Sequence, residues 1–307
     1  MRQLTNKSWP TRKQRAPHIR SVIRPNLQYV APTPSREILD LPSLTTIRIN
    51  SFQEFLNNVD MGQNSPESSL WFRGSGKSSY PLSPSLHRHS GVTDSASLLD
   101  YEKKLLTRFK ERSVPYLHHR IDDVWELLFL MQHYGMPTRL LDWTENPFIS
   151  LFFALSSANK DDNGDYIDDA AVWILSPPKW NQCVFSNISY RGGAMSPSES
   201  TVSSYQPNTE SQLMHENPVA ILGIHNSPRI VAQRGSFCLF GKSLTPMETI
   251  YENGTFEQET LKKIVIPNLI IGDLLDKLVW MGITDSVVYP DLEGLAKETK
   301  RLFGFGV

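Results

Sequence analysis

An arginine at the end of an apolar strand is the first residue whose type and position suggest chemistry. Arg73 follows the apolar run 70–72 and precedes Gly74. A guanidinium group at a strand end can donate parallel hydrogen bonds to a phosphate or a carboxylate. A glycine beside it lets a ligand approach the backbone. We therefore predict that Arg73 binds an anionic group.

Two more charged residues lie in apolar surroundings. Arg139 and Asp142 enclose two leucines, shortly before a segment that is apolar almost all round. Charged side chains in such a place must pair with each other or bind a charged group. Two interpretations remain open, a buried ion pair that holds the loop or a shared binding site. In both, we expect the two side chains to face the same place.

Ring-bearing side chains near these charges are further candidates. His133 lies at a helix end where protonation is favoured, so it could act as a general base or contact a phosphate, although a single helical histidine often has only a structural role. Tyr80 and Trp143 could stack on a ring of a ligand or could belong to the core. The run 74–78 resembles a phosphate-binding loop only superficially, because its first glycine is too close to Lys77.

The elements that must position these residues are strands and helices in mixed order. Alternating or short apolar runs predict strands at 45–49, 70–73, 171–175, 219–224, 230–233, 237–240, 263–266 and 286–289. Apolar spacing with capping residues predicts helices at 51–59, 100–112, 123–134, 148–156, 269–281 and 291–303. Because strands and helices do not alternate strictly, we expect a mixed α+β fold and not a doubly wound sheet.

The N-terminal part of the chain is more basic than the rest. Eight Lys and Arg residues and no acid precede Glu37. We predict a basic, proline-containing arm at 1–43 and one domain at 44–307, with a Ser-rich mobile insertion near 187–218. The arm either contacts nucleic acid or an acidic protein, or is a solvated tail. No apolar run is long enough to span a membrane, so we expect a cytoplasmic protein that does not associate with a membrane. The two cysteines lack the spacing of metal ligands.

Four separated pieces of this sequence resemble the FRG domain family. They lie at 71–74, 132–144, 229–237 and 289–294, and the second, which reads QHYGMPTRLLDWT, is the longest. The layout is also similar to that of arginine-type ADP-ribosyltransferases, which begin with a strand that ends in aromatic-Arg-Gly. This resemblance implies an ADP-ribosyltransferase-like split sheet with surrounding helices. It also implies NAD as a substrate, with no metal.

The resemblance assigns roles to particular residues. Arg73 would hold the NAD pyrophosphate, and Asp142 with Gln233 would bind the ribose and stabilise the positive charge that develops on it. Tyr80 or Trp143 would stack on nicotinamide or adenine. The expected catalytic residues are Arg73, Asp142 and Gln233. The expected cofactor-binding residues are Arg73, Gly74, Tyr80, His133, Arg139, Trp143 and Thr144.

The sequence departs from the transferase pattern at the third motif. The run 229–233 has no glutamate, and Gln233 is the nearest candidate. A glutamine can hydrogen-bond a ribose hydroxyl group but carries no negative charge. Asp142 or Asp291 would then supply that charge.

Three functional hypotheses follow in order of preference. The first is an NAD-dependent ADP-ribosyltransferase that modifies RNA, DNA or protein. It would serve as a bacterial toxin or anti-phage defence effector, with an antitoxin protein as a further expected partner. The second is a recognition module that binds a nucleotide or nucleic acid without catalysis. The third is a metal-dependent nuclease that uses Asp142, Asp291 and Glu293.

Overall fold

A single sheet of seven strands is the frame of the molecule. The computed structural model describes residues 41–59, 69–117, 120–188, 190–223 and 228–305, which fall in one compact unit, Leu39–Val307. The strands are β1 (Thr45–Arg48), β2 (Trp71–Ser75), β3 (Leu140–Thr144), β4 (Ala170–Leu175), β5 (Val219–Leu222), β6 (Gly235–Leu239) and β7 (Leu261–Ile266). Their order is β1-β7-β4-β2-β3-β6-β5, and among these pairs only β1–β7 is parallel.

The pairing of β2 with β3 differs from that of the strands around it. β2 pairs with β4 at five positions, and β3 pairs with β6 at five positions. β2 and β3 pair only at Phe72 and Thr144. The sheet therefore opens between its two central strands, and backbone groups there are available to other partners.

Helices cover the sheet and follow the strands in mixed order. They are α1 (Phe52–Val59), α2 (Ser95–Ser113), α3 (Val124–His133), α4 (Pro147–Ser156), α5 (Pro177–Val184), α6 (Pro228–Gln233), α7 (Met247–Asn253), α8 (Ile271–Trp280), α9 (Asp285–Val288) and α10 (Leu292–Leu302). The predicted mixed α+β class is confirmed. No helix in the described ranges is both long enough and apolar enough to cross a membrane.

Local sequence signals explain where several helices begin. Asp123, Asn146 and Asp291 each accept a hydrogen bond from a backbone amide of the first turn that follows, as N-cap residues do. α2 begins before the predicted residue 100, because Asp94 and Ser97 form a capping box there. The predicted positions of α3, α4 and α10 are confirmed.

Helix α4 packs so closely on β2 that the contact requires a glycine. A Cβ atom on Gly74 would lie 2.0 Å from the Ser150 carbonyl oxygen and 2.5 Å from the Ala154 amide nitrogen. The space beside Gly74 is therefore filled by the α4 backbone. One role of this glycine is therefore to bring helix and strand together, and its expected role in admitting a ligand to the backbone stays a prediction.

Two predicted strands are helices. The run 230–233 belongs to α6, which starts at Pro228, and the run 286–289 overlaps α9. Short runs of Ile and Val do not distinguish a strand from a buried helical turn, and the fixed φ of proline favours a helix start. The sequence also did not indicate α5 or α7. α5 starts with two prolines, and Pro246 precedes α7.

The Ser-rich segment near 187–218 contacts the core. It contains a 3-10 helix, Ser200–Tyr205, and the side chains of Met195, Val202 and Tyr205 are fully buried. These three side chains pack with α3 and with β5 and β6. The predicted basic arm at 1–43 lies almost wholly outside the described residues.

Candidate functional site

A cleft of about 270 Å³ lies where β2 and β3 separate. Its floor comes from β2, β3 and β6, and residues of α3, α4 and α6 form its walls. Four phenylalanines form its aromatic lining, Phe72, Phe129, Phe153 and Phe237. The polar lining includes Arg73, Gln132, His133, Asp142, Thr144, Arg229 and Gln233. Residues far apart in the chain thus meet in one concave site.

Arg73 lies in the opening between the two strands. One guanidinium nitrogen, Nη1, donates a hydrogen bond of 2.6 Å to the backbone carbonyl of Asp142, and this is its only hydrogen bond among the described residues. Burial lowers the pKa of the Arg73 guanidinium, and the nearby Asp142 charge opposes this change. The group stays cationic at neutral pH. Its other N–H groups are available to a ligand.

The carboxylate of Asp142 is held by a neighbouring amide. Gln132 Nε2 donates to both carboxylate oxygens, at 3.0 and 2.9 Å. The other end of that amide, Gln132 Oε1, accepts a hydrogen bond of 2.5 Å from the Thr138 hydroxyl group. The amide is therefore fixed in one orientation, and Asp142 keeps its charge pointed into the cleft.

Gln132 was not predicted as a site residue. It stands in the QHYGMPTRLLDWT run, and its position one residue before His133 on α3 is the signal that could have identified it.

Gln233 and Thr144 join three elements beside the cleft. The Thr144 hydroxyl group donates to the Gln233 backbone carbonyl at 2.5 Å. The Gln233 side-chain nitrogen donates to the carbonyl of Val288 at 3.0 Å. β3, α6 and α9 are thereby connected. Gln233 lines the cleft as expected, and one of its two amide N–H groups is bound to the Val288 carbonyl.

A second cation, Arg229, lies at the α6 side of the cleft. Its guanidinium carbon is 4.7 Å from the centre of the Tyr289 ring, and Lys297 Nζ is 5.0 Å from the same ring. Burial lowers the pKa of His133, Arg229 lowers it further, and Asp291 opposes this. His133 is therefore mostly neutral at pH 7, which suits a base or hydrogen-bonding group better than a cation.

Arg139 is fully buried outside the cleft. Its Nε pairs with Glu102 of α2 at 2.8 Å, and its other nitrogens donate to the backbone carbonyls of Tyr205, at 2.8 Å, and Phe240. The predicted pairing with Asp142, and the prediction that both face one site, are wrong. Residues three apart on an extended chain point to opposite faces. Arg139 thus has a structural partner, and it is not among the residues that line the cleft.

Neither of the two predicted stacking residues offers an exposed ring to the cleft. Tyr80 is 51% exposed and does not line the cleft. Trp143 borders the cleft, but its side chain is buried among Trp71, Trp173 and Cys238. Of the four phenylalanines at the cleft, Phe153 is the partly exposed one, so a flat ring in the cleft would contact Phe153. The sequence did not single it out because apolar residues in predicted helices are usually core.

A half-buried histidine whose ring nitrogens are both inaccessible to solvent gives the fold a sensitivity to acid. Burial, and then the charge of Arg139, lower the pKa of His87 to about 4, and both its ring nitrogens lack a hydrogen-bond partner among the described residues. In the unfolded chain this pKa is about 6.5. Protons then bind the unfolded state more strongly, so stability is lost as the pH falls from about 6.5 to about 4.

We therefore expect His87→Leu to make the free energy of unfolding less dependent on pH in that interval, by up to about 3 kcal/mol. Urea unfolding at several pH values measures this. His89→Leu is the matched control, because His89 is exposed. An equal acid dependence in the parent and in His87→Leu contradicts the assignment.

The cleft draws its polar residues from separate pieces of the chain. Arg73 belongs to the first piece, Gln132 and Asp142 to the second, and Arg229 and Gln233 to the third. Residues 68–163 match the FRG domain. This match confirms the predicted resemblance for the FRG segment, which supplies Arg73, Gln132 and Asp142. The third and fourth pieces lie beyond it.

Other comparisons add no relative. No curated protein and no solved structure matches the chain significantly. In the described ranges, no three His, Cys, Asp or Glu side chains are grouped as metal ligands would be.

Proposed function

We propose that this protein is an ADP-ribosyltransferase that takes NAD as its substrate. The observation that carries the proposal is the pairing of a cation and an anion in one aromatic-lined cleft. Arg73 has free N–H groups at the opening of the sheet, and Asp142 is held beside it. A dinucleotide needs these groups, a donor for its phosphates and a negative charge near its ribose.

Arg73 binds the pyrophosphate in this proposal. Its remaining N–H groups form a planar fork that matches two phosphate oxygens. The site lies in a concave, partly buried place, where charge-assisted hydrogen bonds are stronger than in water. Arg229 adds a second positive charge to the same cleft.

Asp142 stabilises the reacting sugar in this proposal. The bond between ribose C1′ and the nicotinamide nitrogen breaks, and its electron pair leaves with neutral nicotinamide. Positive charge develops on the ribose, and a fixed carboxylate favours it. The acceptor then forms a bond to C1′ and releases a proton, which His133 on the cleft wall accepts in this proposal.

The short pairing between β2 and β3 supports the split sheet that an ADP-ribosyltransferase requires. β2 and β3 meet at a single position, and the cleft lies at their separation. Arg73 stands on β2 at that place, next to the carbonyl of Asp142 on β3.

The acceptor and the biological role rest on charge and resemblance. The eight Lys and Arg residues before Glu37 favour RNA or DNA as the acceptor, with protein as the alternative. We propose a toxin or anti-phage defence effector that acts in the cytoplasm, with an antitoxin protein as its partner.

One observation favours a second candidate, a nucleotide-recognition module without catalysis. Gln233, the residue expected to replace the transferase glutamate, carries no negative charge, and one of its amide N–H groups is bound to the Val288 carbonyl. Binding of a nucleotide through Arg73 does not depend on a glutamate at that position.

Measuring NAD binding together with nicotinamide release distinguishes the transferase from the recognition module. We expect the parent to bind NAD by calorimetry and to release nicotinamide. Asp142→Asn should bind NAD with an affinity within a few fold of the parent's. Its rate of nicotinamide release should fall by roughly 100-fold or more, as when one group that stabilises a transition state is removed. Asp276→Asn, at an exposed position on α8, is the control. Binding without release supports the recognition module, and no binding contradicts the transferase.

A further inference from the structure

Helix α10 presents its polar side to the protein. Gly294 is the buried residue of this helix, and Arg301 donates hydrogen bonds to Asp285 on α9 at 2.9 and 3.3 Å. Glu298 accepts hydrogen bonds from Thr284 and from the amide of Ser286. The helix is therefore held on α9 by charged and polar contacts.

The apolar side of the same helix faces outward. Leu292, Leu295, Leu302 and Phe303 are 83%, 53%, 79% and 71% exposed. Their spacing of three, seven and one residues places them on one stripe, together with the exposed Ala296 and Thr299. No described residue covers this stripe. A contiguous apolar helix face of this kind is typical of an interaction surface.

We propose that the α10 stripe binds the α10 stripe of a second copy of this chain, with the two helices antiparallel about a two-fold axis. A two-fold contact uses one surface patch twice, so the patch must be complementary to itself. The stripe meets this condition in both its shape and its charge.

The size of the side chains fits an antiparallel crossing. The small residues Ala296 and Thr299 lie in the middle of the stripe, and the large ones lie towards both ends. Two helices can approach closely at the centre, while Leu292 of one copy packs between Leu302 and Phe303 of the other.

The charges beside the stripe also fit this arrangement. Glu293 and Lys300 lie seven residues apart on one flank, and both are exposed. In an antiparallel pair, like flanks meet in reversed order, so Glu293 of each copy lies opposite Lys300 of the other. Lys300 forms no ion pair among the described residues, and Glu293 contacts only Lys297, at 2.8 Å. A parallel pair does not bring these two charges together.

Sedimentation of the full chain over a range of concentrations tests the proposal. We expect a dimer that Leu302→Asp weakens by roughly 100-fold or more, because each substitution acts twice across the axis. Its melting temperature should change little, since the side chain is exposed. Leu269→Asp is the matched control, at a leucine that is 90% exposed outside α10. A parent that stays monomeric, or a dimer that Leu302→Asp leaves intact, overturns the proposal.

Charge exchange tests the antiparallel register. Glu293→Lys alone and Lys300→Glu alone each place like charges opposite each other, and each should weaken its own dimer by about tenfold. Mixing the two variants should give a heterodimer, because every Lys then faces a Glu. The doubly substituted chain should dimerise like the parent. No preference for the heterodimer overturns the antiparallel arrangement.

Discussion

Replacing Glu102 by alanine is expected to lower the free energy of unfolding by about 3–5 kcal/mol. The carboxylate of Glu102 is the only acid that pairs with Arg139 among the described residues, and both side chains are buried. Without it, the guanidinium charge stays in the core with only the carbonyls of Tyr205 and Phe240 as partners. An uncompensated buried charge costs more than the pair itself contributes.

Urea unfolding of the parent, Glu102→Ala and Glu111→Ala measures this effect. Glu111 lies on the same helix, α2, but is exposed, so its removal should change stability by less than about 0.5 kcal/mol. NAD binding per folded molecule should be unchanged in Glu102→Ala, because neither member of the pair lines the cleft. Equal stability of the two variants contradicts the structural role of the pair.

Replacing Arg73 by alanine is expected to abolish NAD binding, and Arg73→Lys is expected to weaken it at least about tenfold. Each charge-assisted hydrogen bond from the guanidinium to a phosphate contributes roughly 1.5–3 kcal/mol. A lysine keeps the charge but lacks the planar fork. It also reaches the Asp142 carbonyl, 2.6 Å from Arg73 in the parent, less well.

Calorimetry with NAD, beside a melting curve for each variant, separates loss of affinity from loss of fold. Arg112→Ala is the control, since Arg112 is exposed on α2 and does not line the cleft. If a folded Arg73→Ala protein binds NAD as the parent does, Arg73 is not the phosphate ligand. The second candidate loses its support in that case as well.

Elements with strong local signals could be predicted from the sequence. α3 and α4 begin at Asp123 and Asn146 as expected, because capping is decided by neighbours in the chain. The short runs at 230–233 and 286–289 could not be assigned, since their period is too short to separate a strand from a helical turn.

The motif residues of the site could be predicted from the sequence, but the side chains that contact them across the fold could not. Arg73, Asp142 and Gln233 all line the cleft. The partner of Arg139, however, is Glu102, which stands 37 residues earlier in the chain. Nothing in a linear sequence indicates which of two acids an arginine meets across the fold. The amide of Gln132 beside Asp142 was missed for the same reason, since it is a contact between helix and strand.

During synthesis from the N-terminus, β2 and β3 leave the ribosome before either of their outer neighbours in the sheet. β4 starts at Ala170 and β6 at Gly235, and the Val288 carbonyl that binds Gln233 comes later still. Strands so distant in sequence pair slowly, because long loops must close first. A nascent chain therefore carries Arg73, α3 and α4 long before it has α6, the last wall of the cleft. The contact that joins α6 to α9 beside the cleft can form only after Val288 has been synthesised.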